Sequence, residues 1–152
     1  MIARGEKGFT LIELMIVMAV IAILVGIALP RFKGMKDEAN VAKSNGELRA
    51  LKTALESYYI HQSPHAYPPT TATVCATNLL TAKPQLIEIA LYDPFGALST
   101  TEYNFVRSAN GKYYVAFSAG PDEAYDITGI SDAGVLAGND DDDPYATNGS
   151  GF

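Results

Sequence analysis

The sequence has no tryptophan and a single cysteine, Cys75. One thiol cannot close an internal disulfide, and it cannot supply a CxxC redox pair or a thiolate zinc site. Only an intermolecular bridge through Cys75 is left open. Basic residues are also scarce: 11 Lys and Arg stand against 17 Asp and Glu, for a formal net charge of -6. That balance argues against a nucleic-acid-binding body that grips phosphates through a basic face, so no nucleic-acid partner is expected. Beyond Lys112 there is no cation, whereas Asp122, Glu123, Asp126, Asp132 and the run Asp140 to Asp143 all fall there. The chain lacks a GxGxxG loop, a P-loop and a GxSxG turn, and no Ser, His and acid set nominates itself as a triad. No enzyme is expected. The two histidines, His61 and His65, flank Ser63-Pro64 without a third metal ligand and read as solvated loop residues.

What the chain does have is apolar surface in one block. Phe9 to Leu29 is apolar or small apart from Thr10 and Glu13, and its roughly 21 residues at about 1.5 Å each reach across about 30 Å of hydrocarbon. Arg4 and Lys7 precede the block, which places the N-terminus in the cytoplasm and everything after Leu29 on the far side of the membrane. A secretory signal would close with small residues, but this block closes with Leu29-Pro30-Arg31-Phe32. The small residue, Gly8, sits on the charged side instead. A cut after Gly8 would remove the leader and keep the anchor.

Glu13 is what a plain anchor does not explain, since a carboxylate inside an apolar layer needs a partner or a route to water. Two readings are open. Glu13 lies near the interface and reaches water, or it pairs with the free amine that a cut after Gly8 would create on Phe9 of a neighbouring copy.

Gly8-Phe9-Thr10-Leu11-Ile12-Glu13-Leu14, with Pro30 after the apolar run, closely resembles the class III signal of type IV prepilins and pseudopilins. The resemblance covers residues 1 to about 60. It implies that a prepilin peptidase/methyltransferase cuts after Gly8 and methylates Phe9, and that Glu13 occupies the family's glutamate position. It implies subunits that leave the inner membrane to form a helical filament with copies of themselves and minor (pseudo)pilins, driven by an inner-membrane assembly platform and a cytoplasmic ATPase. The filament would stand in the periplasm or on the cell surface.

After Pro30 the residues Leu48, Leu51, Leu55 and Tyr58 repeat at helical spacing, with Lys43, Glu47, Arg49, Lys52 and Glu56 available for a wetter side. No proline intervenes between Arg31 and Ser63, so the anchor and the amphipathic part are expected to be one helix of about 54 residues, near 80 Å. Pro30 lacks an N–H, and its ring crowds the carbonyl of Gly26. That pair is a local weak point: a tolerated kink, or a stretch that unwinds when subunits repack, as the resemblance implies. Ser63-Pro64 and Pro68-Pro69 end the helix. Thr101 to Arg107 and Lys112 to Ser118 alternate in apolar character around Ser108-Ala109-Asn110-Gly111, a β-hairpin signal. The expected fold is α+β, with a small antiparallel sheet packed on the helix. The expected organisation is a leader over 1–8, a membrane and filament-core helix over 9–29, its amphipathic continuation over 30–62, and a head over 63–152.

Asp93-Pro94-Phe95-Gly96 and Ser118-Ala119-Gly120-Pro121-Asp122 resemble head motifs of the major pseudopilin of type II secretion. The chain departs from that pattern where the family's Gly-Ala-Asp-Gly becomes Gly120-Pro121-Asp122-Glu123 and a longer acidic segment follows. Asp122, Asp126, Asp140 and Asp142 offer the hard oxygen ligands that Ca2+ takes, and the pseudopilin resemblance raises that reading. The competing reading is a solvated acidic loop. For the whole chain the alternative is a single-span anchor that never polymerises and carries a periplasmic calcium- or ligand-binding domain, which leaves Gly8 and Glu13 without a purpose.

Overall fold

The computed structural model describes residues 8–139 and 141–151. Apart from Gly8, the expected leader lies outside the described residues, and so does Asp140. The chain is α+β. A long helix, α1 (Leu11–His61), is followed by a π-helical turn (Cys75–Leu79) and five strands: β1 (Asn104–Arg107), β2 (Tyr114–Phe117), β3 (Ile127–Ile130), β4 (Leu136–Gly138) and β5 (Tyr145–Thr147). The strands make two sheets, ordered β1-β2-β5 and β3-β4, with antiparallel neighbours throughout. The chain divides into two compact units, and the division after Asp37 falls inside α1.

In the first unit the apolar side chains of α1 stand in the open, from Leu11 at 77% exposure to Leu29 at 64%. Among the described residues, α1 is the one helix long and apolar enough to cross a membrane. Apolar surface on this scale needs lipid or other helices to cover it. The helix runs unbroken through Pro30. The proline offers no N–H to the Gly26 carbonyl, so the expected weak point is one missing hydrogen bond inside a continuous helix.

In the second unit Leu48, Leu51 and Leu55 are buried with 1%, 0% and 0% of their surface exposed, and Tyr58 packs partly buried beside them. The predicted stripe therefore has the right register. The wetter side needs correction, because three of its five residues turn to the head. Glu47 accepts the Tyr103 hydroxyl at 2.7 Å, Glu56 accepts those of Tyr67 at 2.8 Å and Tyr114 at 2.9 Å, and Lys52 donates to the Thr147 carbonyl at 2.7 Å. The reason is chemical. Three core tyrosines bring hydroxyls that must find acceptors once buried. Burial, with the neighbouring carboxylates, pushes all three phenols well above their usual pKa.

The hairpin forms, with strands shorter than expected. Asn104 pairs with Phe117 and Arg107 with Tyr114. The connection is closed by the Ser108 N–H on the Tyr113 carbonyl at 2.9 Å, and Gly111 takes φ 71°, where a side chain would strain the backbone. Central strand β2 is buried along its whole length. Tyr114 and Ala116 join Phe105 in the cluster against α1, while Val115 and Phe117 meet Ile127, Ile130 and Leu136. The head is thus three layers, helix, sheet and second sheet, where the sequence suggested two.

Candidate functional site

Two places carry the residues singled out in the sequence. The first is the start of α1. Gly8, Phe9 and Thr10 are exposed and non-helical, with Phe9 at 86% exposure. Thr10 is the N-cap. Its N–H and its hydroxyl both donate to Glu13 Oε2 at 2.8 Å, and the Glu13 N–H donates back to Thr10 Oγ1 at 3.3 Å. This reciprocal pair is a capping box, and Thr-x-x-Glu before an apolar run is its sequence signature. That signal was available in Thr10-Leu11-Ile12-Glu13, and it supplies a partner for Glu13 inside its own chain. The expected cleavage position after Gly8 lies outside the helix, so a cut there would leave the box whole. At Gly26 a Cβ would meet nothing within 4 Å beyond its own helix backbone.

The second place is the acidic loop, and its frame is built from the two head motifs. Asp93 is buried, at 2% exposure. Its Oδ1 accepts the Ser118 hydroxyl at 2.6 Å and the Phe95 N–H at 3.0 Å, and its Oδ2 accepts the Ala119 N–H at 2.9 Å. Asp93-Pro94-Phe95-Gly96 and Ser118-Ala119-Gly120 are therefore one clamp. From it the chain enters the turn Gly120–Glu123, closed by the Glu123 N–H on the Gly120 carbonyl at 3.1 Å. A Cβ on Gly120 would stand 2.7 Å from the Asp142 carbonyl oxygen and 3.1 Å from Asp143 Oδ1, so only glycine lets the acidic segment lie this close.

Of the predicted ligands, Asp122 and Asp142 come together with Asp143, and Asp126 and Asp142 come together with Asp141, each trio offering oxygens within 4.8 Å of one another. Asp122 Oδ1 also accepts the Ala124 N–H at 2.8 Å. Asp143 belongs to the run Asp140 to Asp143 that the sequence offered as calcium ligands, without anything there to set it apart. It is at 4% exposure; Oδ2 accepts the Asp126 and Ile127 N–H groups at 2.9 and 3.1 Å, and Oδ1 is buried without a partner among the described residues. Burial raises the Asp143 pKa against those two N–H bonds. Asp126 is raised as well, by desolvation and then by Asp122, Asp141 and Asp142. An orphaned buried carboxylate oxygen among crowded acids fits a hard cation with oxygen ligands.

The remaining candidates are structural or peripheral. Cys75 is fully buried, and burial pushes its thiol up to about 11, which closes off the intermolecular bridge. Glu102 holds the π-helical turn beside it, accepting the Cys75 and Ala76 N–H groups at 2.8 and 3.1 Å. His61 and His65 each place Nδ1 near a backbone carbonyl, at 2.7 Å from Ser57 and 3.1 Å from Tyr59.

Comparison with known proteins gives a family match at the start of the chain and relatives that cover most of it. Residues 3–29 match the prokaryotic N-terminal methylation motif. A fimbrial protein of Pseudomonas aeruginosa is 50% identical over 54 residues, which cover 36% of this chain and 35% of that protein. The type II secretion system core protein G of Escherichia coli K12 is 28% identical over 139 residues, covering 90% of this chain and 88% of its own. That of Dickeya chrysanthemi is 30% identical over 128 residues, covering 78% and 80%. No solved structure matches the chain significantly.

Proposed function

The chain belongs to the type IV pilin and pseudopilin family, and from that membership we propose that it is a prepilin cut after Gly8, N-methylated on Phe9 and polymerised into a filament. The observation that carries this reading is the exposed, non-helical Gly8-Phe9-Thr10 stretch ahead of a capped and wholly uncovered apolar helix. A peptidase finds an accessible bond there. Behind that bond runs a helix whose apolar surface is first covered by lipid and then by copies of itself. The N-terminus stays cytoplasmic and the head periplasmic, and residues 9–29 become the filament core. Phe9 and Glu13 make the contact between neighbours, and the Gly26–Pro30 stretch is where the helix yields as subunits repack. A prepilin peptidase/methyltransferase, an inner-membrane platform and minor pseudopilins are the partners.

Between the two filament classes, the pseudopilus of type II secretion is favoured. The relatives matched over most of their length are secretion core proteins, whereas the match to the fimbrial protein covers about a third of it. For the acidic loop we propose a Ca2+ ion held by Asp122, Asp142 and Asp143, with Asp126 and Asp141 grouped on Asp142 beside it, supported by Asp143 Oδ1, which has no partner among the described residues. Bound calcium would neutralise carboxylates that otherwise repel and fix the loop against the Asp93 clamp.

Mass spectrometry of the mature chain tests the first step. The expected N-terminus is methylated Phe9, and Gly8→Leu should leave an uncut precursor in the membrane. A mature chain beginning beyond Leu29 would remove the anchor. Deleting the gene should abolish export of secreted proteins without removing surface fibres. Loss of fibres with export intact would instead make the filament a pilus.

A further inference from the structure

Among the described residues, the cations just beyond the apolar run have no acidic partner. Arg31, Lys33 and Lys36 are exposed, and the one ion pair among those residues is Lys43 to Glu47, at 3.7 Å. Phe32 and Met35 project between them at 68% and 65% exposure. On one side of α1, Leu24, Ile27, Ala28, Phe32 and Met35 line a shallow groove of about 330 Å³ that also takes in Arg31. An apolar wall therefore ends on a guanidinium.

Their depth is set by the helix rise. With the hydrocarbon ending near Leu29, Arg31 stands about 3 Å and Lys36 about 10 Å beyond it, which is the layer of lipid headgroups. Long cationic side chains there lay their stems on apolar surface and hold their charges at phosphate level. Asp37 and Glu38 come only after the third cation. A cut after Gly8 removes Arg4 and Lys7, so in the processed chain this is the one basic cluster bordering the apolar block.

Resting on the membrane-anchored reading of the proposed function, we propose that Arg31, Lys33 and Lys36 form a collar that binds anionic phospholipid in the leaflet facing the head. One acyl chain lies along Leu24, Ala28 and Phe32, and the phosphate sits on Arg31 with Lys36 one turn above Phe32. The guanidinium fork suits a phosphate, which it can hold through two parallel hydrogen bonds. The competing occupant is the acidic segment of a second copy. It could meet the cations, but it has no apolar chain to fill the groove, whereas a phospholipid supplies both. The collar would hold the subunit in the bilayer until assembly replaces the lipid.

The test reconstitutes the full chain in phosphatidylcholine vesicles containing about one-fifth phosphatidylglycerol, and measures by EPR how strongly spin-labelled copies of each lipid associate with the protein. Each cation near an anionic surface is worth about a fivefold preference at most. The wild type should favour phosphatidylglycerol several-fold, and the preference should fall to about one in Arg31→Gln/Lys33→Gln/Lys36→Gln and in molar salt. Arg31→Gln alone should lose the largest single share. Equal association of both lipids with the wild type, or an unchanged preference in the triple variant, overturns the collar. Salt-sensitive cross-linking of this band to the acidic segment of another copy, without lipid preference, overturns it in favour of the second occupant. Carbonate extraction of the same vesicles separates the two readings: a chain that washes out refutes the anchor, while one that stays without preferring phosphatidylglycerol refutes only the collar.

Discussion

At the scale of single residues, Glu123 explains a departure from the family pattern. It takes φ 63°, the one non-glycine residue with positive φ among those described, at the position where the pseudopilin motif has its second glycine. The turn takes a left-handed backbone there without the residue that suits it. A side chain in that conformation costs about 1–2 kcal/mol, and glycine returns about 0.5–1 kcal/mol of that through its freer unfolded chain. Glu123→Gly should therefore stabilise the head by about 0.5–1 kcal/mol in urea denaturation, and destabilisation would mean the Glu123 side chain holds something the backbone does not reveal. The same scale shows what sequence pattern reached. Leu48, Leu51 and Leu55 were legible because helical period depends on apolarity alone. Glu47 and Glu56 were misread because a glutamate on a helix looks solvated until a tyrosine from elsewhere in the fold is known to need it.

At the scale of elements, α1 is fastened to the sheets by those glutamates as well as by its leucines. Removing Glu56 leaves the Tyr67 and Tyr114 hydroxyls without the acceptor they share, at about 1–3 kcal/mol for each group left unsatisfied. One of them has help, since Asn148 Nδ2 lies 3.1 Å from the Tyr67 oxygen, but that contact donates to tyrosine and does not accept from it. Glu56→Ala should thus lower stability by about 2–6 kcal/mol in urea denaturation, while Arg49→Ala, exposed on the same helix, should fall within about 0.5 kcal/mol of wild type. Equal effects would mean that helix propensity, and not the tyrosine bonds, governs the difference.

The acidic segments that flank strands β3 and β4, Gly120 to Asp126 and Asp141 to Asp143, are an element of another kind, one whose order depends on charge. Extracellular calcium sites commonly have Kd values of about 0.1–1 mM, so millimolar Ca2+ would contribute about 0.4–1.4 kcal/mol. For a chain of this size that is a rise in Tm of about 1–6 °C. The full chain in detergent should show that rise over chelator, with Mg2+ much less effective because it holds its waters and demands a tighter octahedron. Asp142→Asn with Asp143→Asn should abolish it. Identical melting in Ca2+ and chelator would return the segment to a solvated acidic loop. The acids were visible in sequence, but the choice among them was not. Asp143 stands out only once the start of strand β3 turns the Ile127 amide, and that of Asp126 just before it, onto one of its oxygens and leaves the other bare among the described residues.

At the scale of the whole molecule, the proposed function has the chain occupy two environments in turn, and Glu13 is the residue asked to serve both. In the lone subunit its carboxylate is not an orphan, because Thr10 supplies two donors at 2.8 Å. The capping box makes insertion tolerable without any second copy, which removes the argument that Glu13 must have an intermolecular partner merely to enter lipid. The case for a neighbour rests on what the box leaves over: Oε2 takes both Thr10 donors, and the carboxylate keeps a second oxygen that a cationic amine on a processed Phe9 could engage. Glu13→Leu should accordingly insert at least as well as wild type, measured by carbonate-resistant membrane fractionation, yet give little sedimentable filament. Thr10→Val separates pairing from capping, since it removes the hydroxyl that completes the box while keeping the carboxylate. If pairing is what matters, Thr10→Val should retain far more filament than Glu13→Leu. Equal loss in the two variants would assign Glu13 to the helix start alone, and the filament's register would then have to be set by the apolar face of α1.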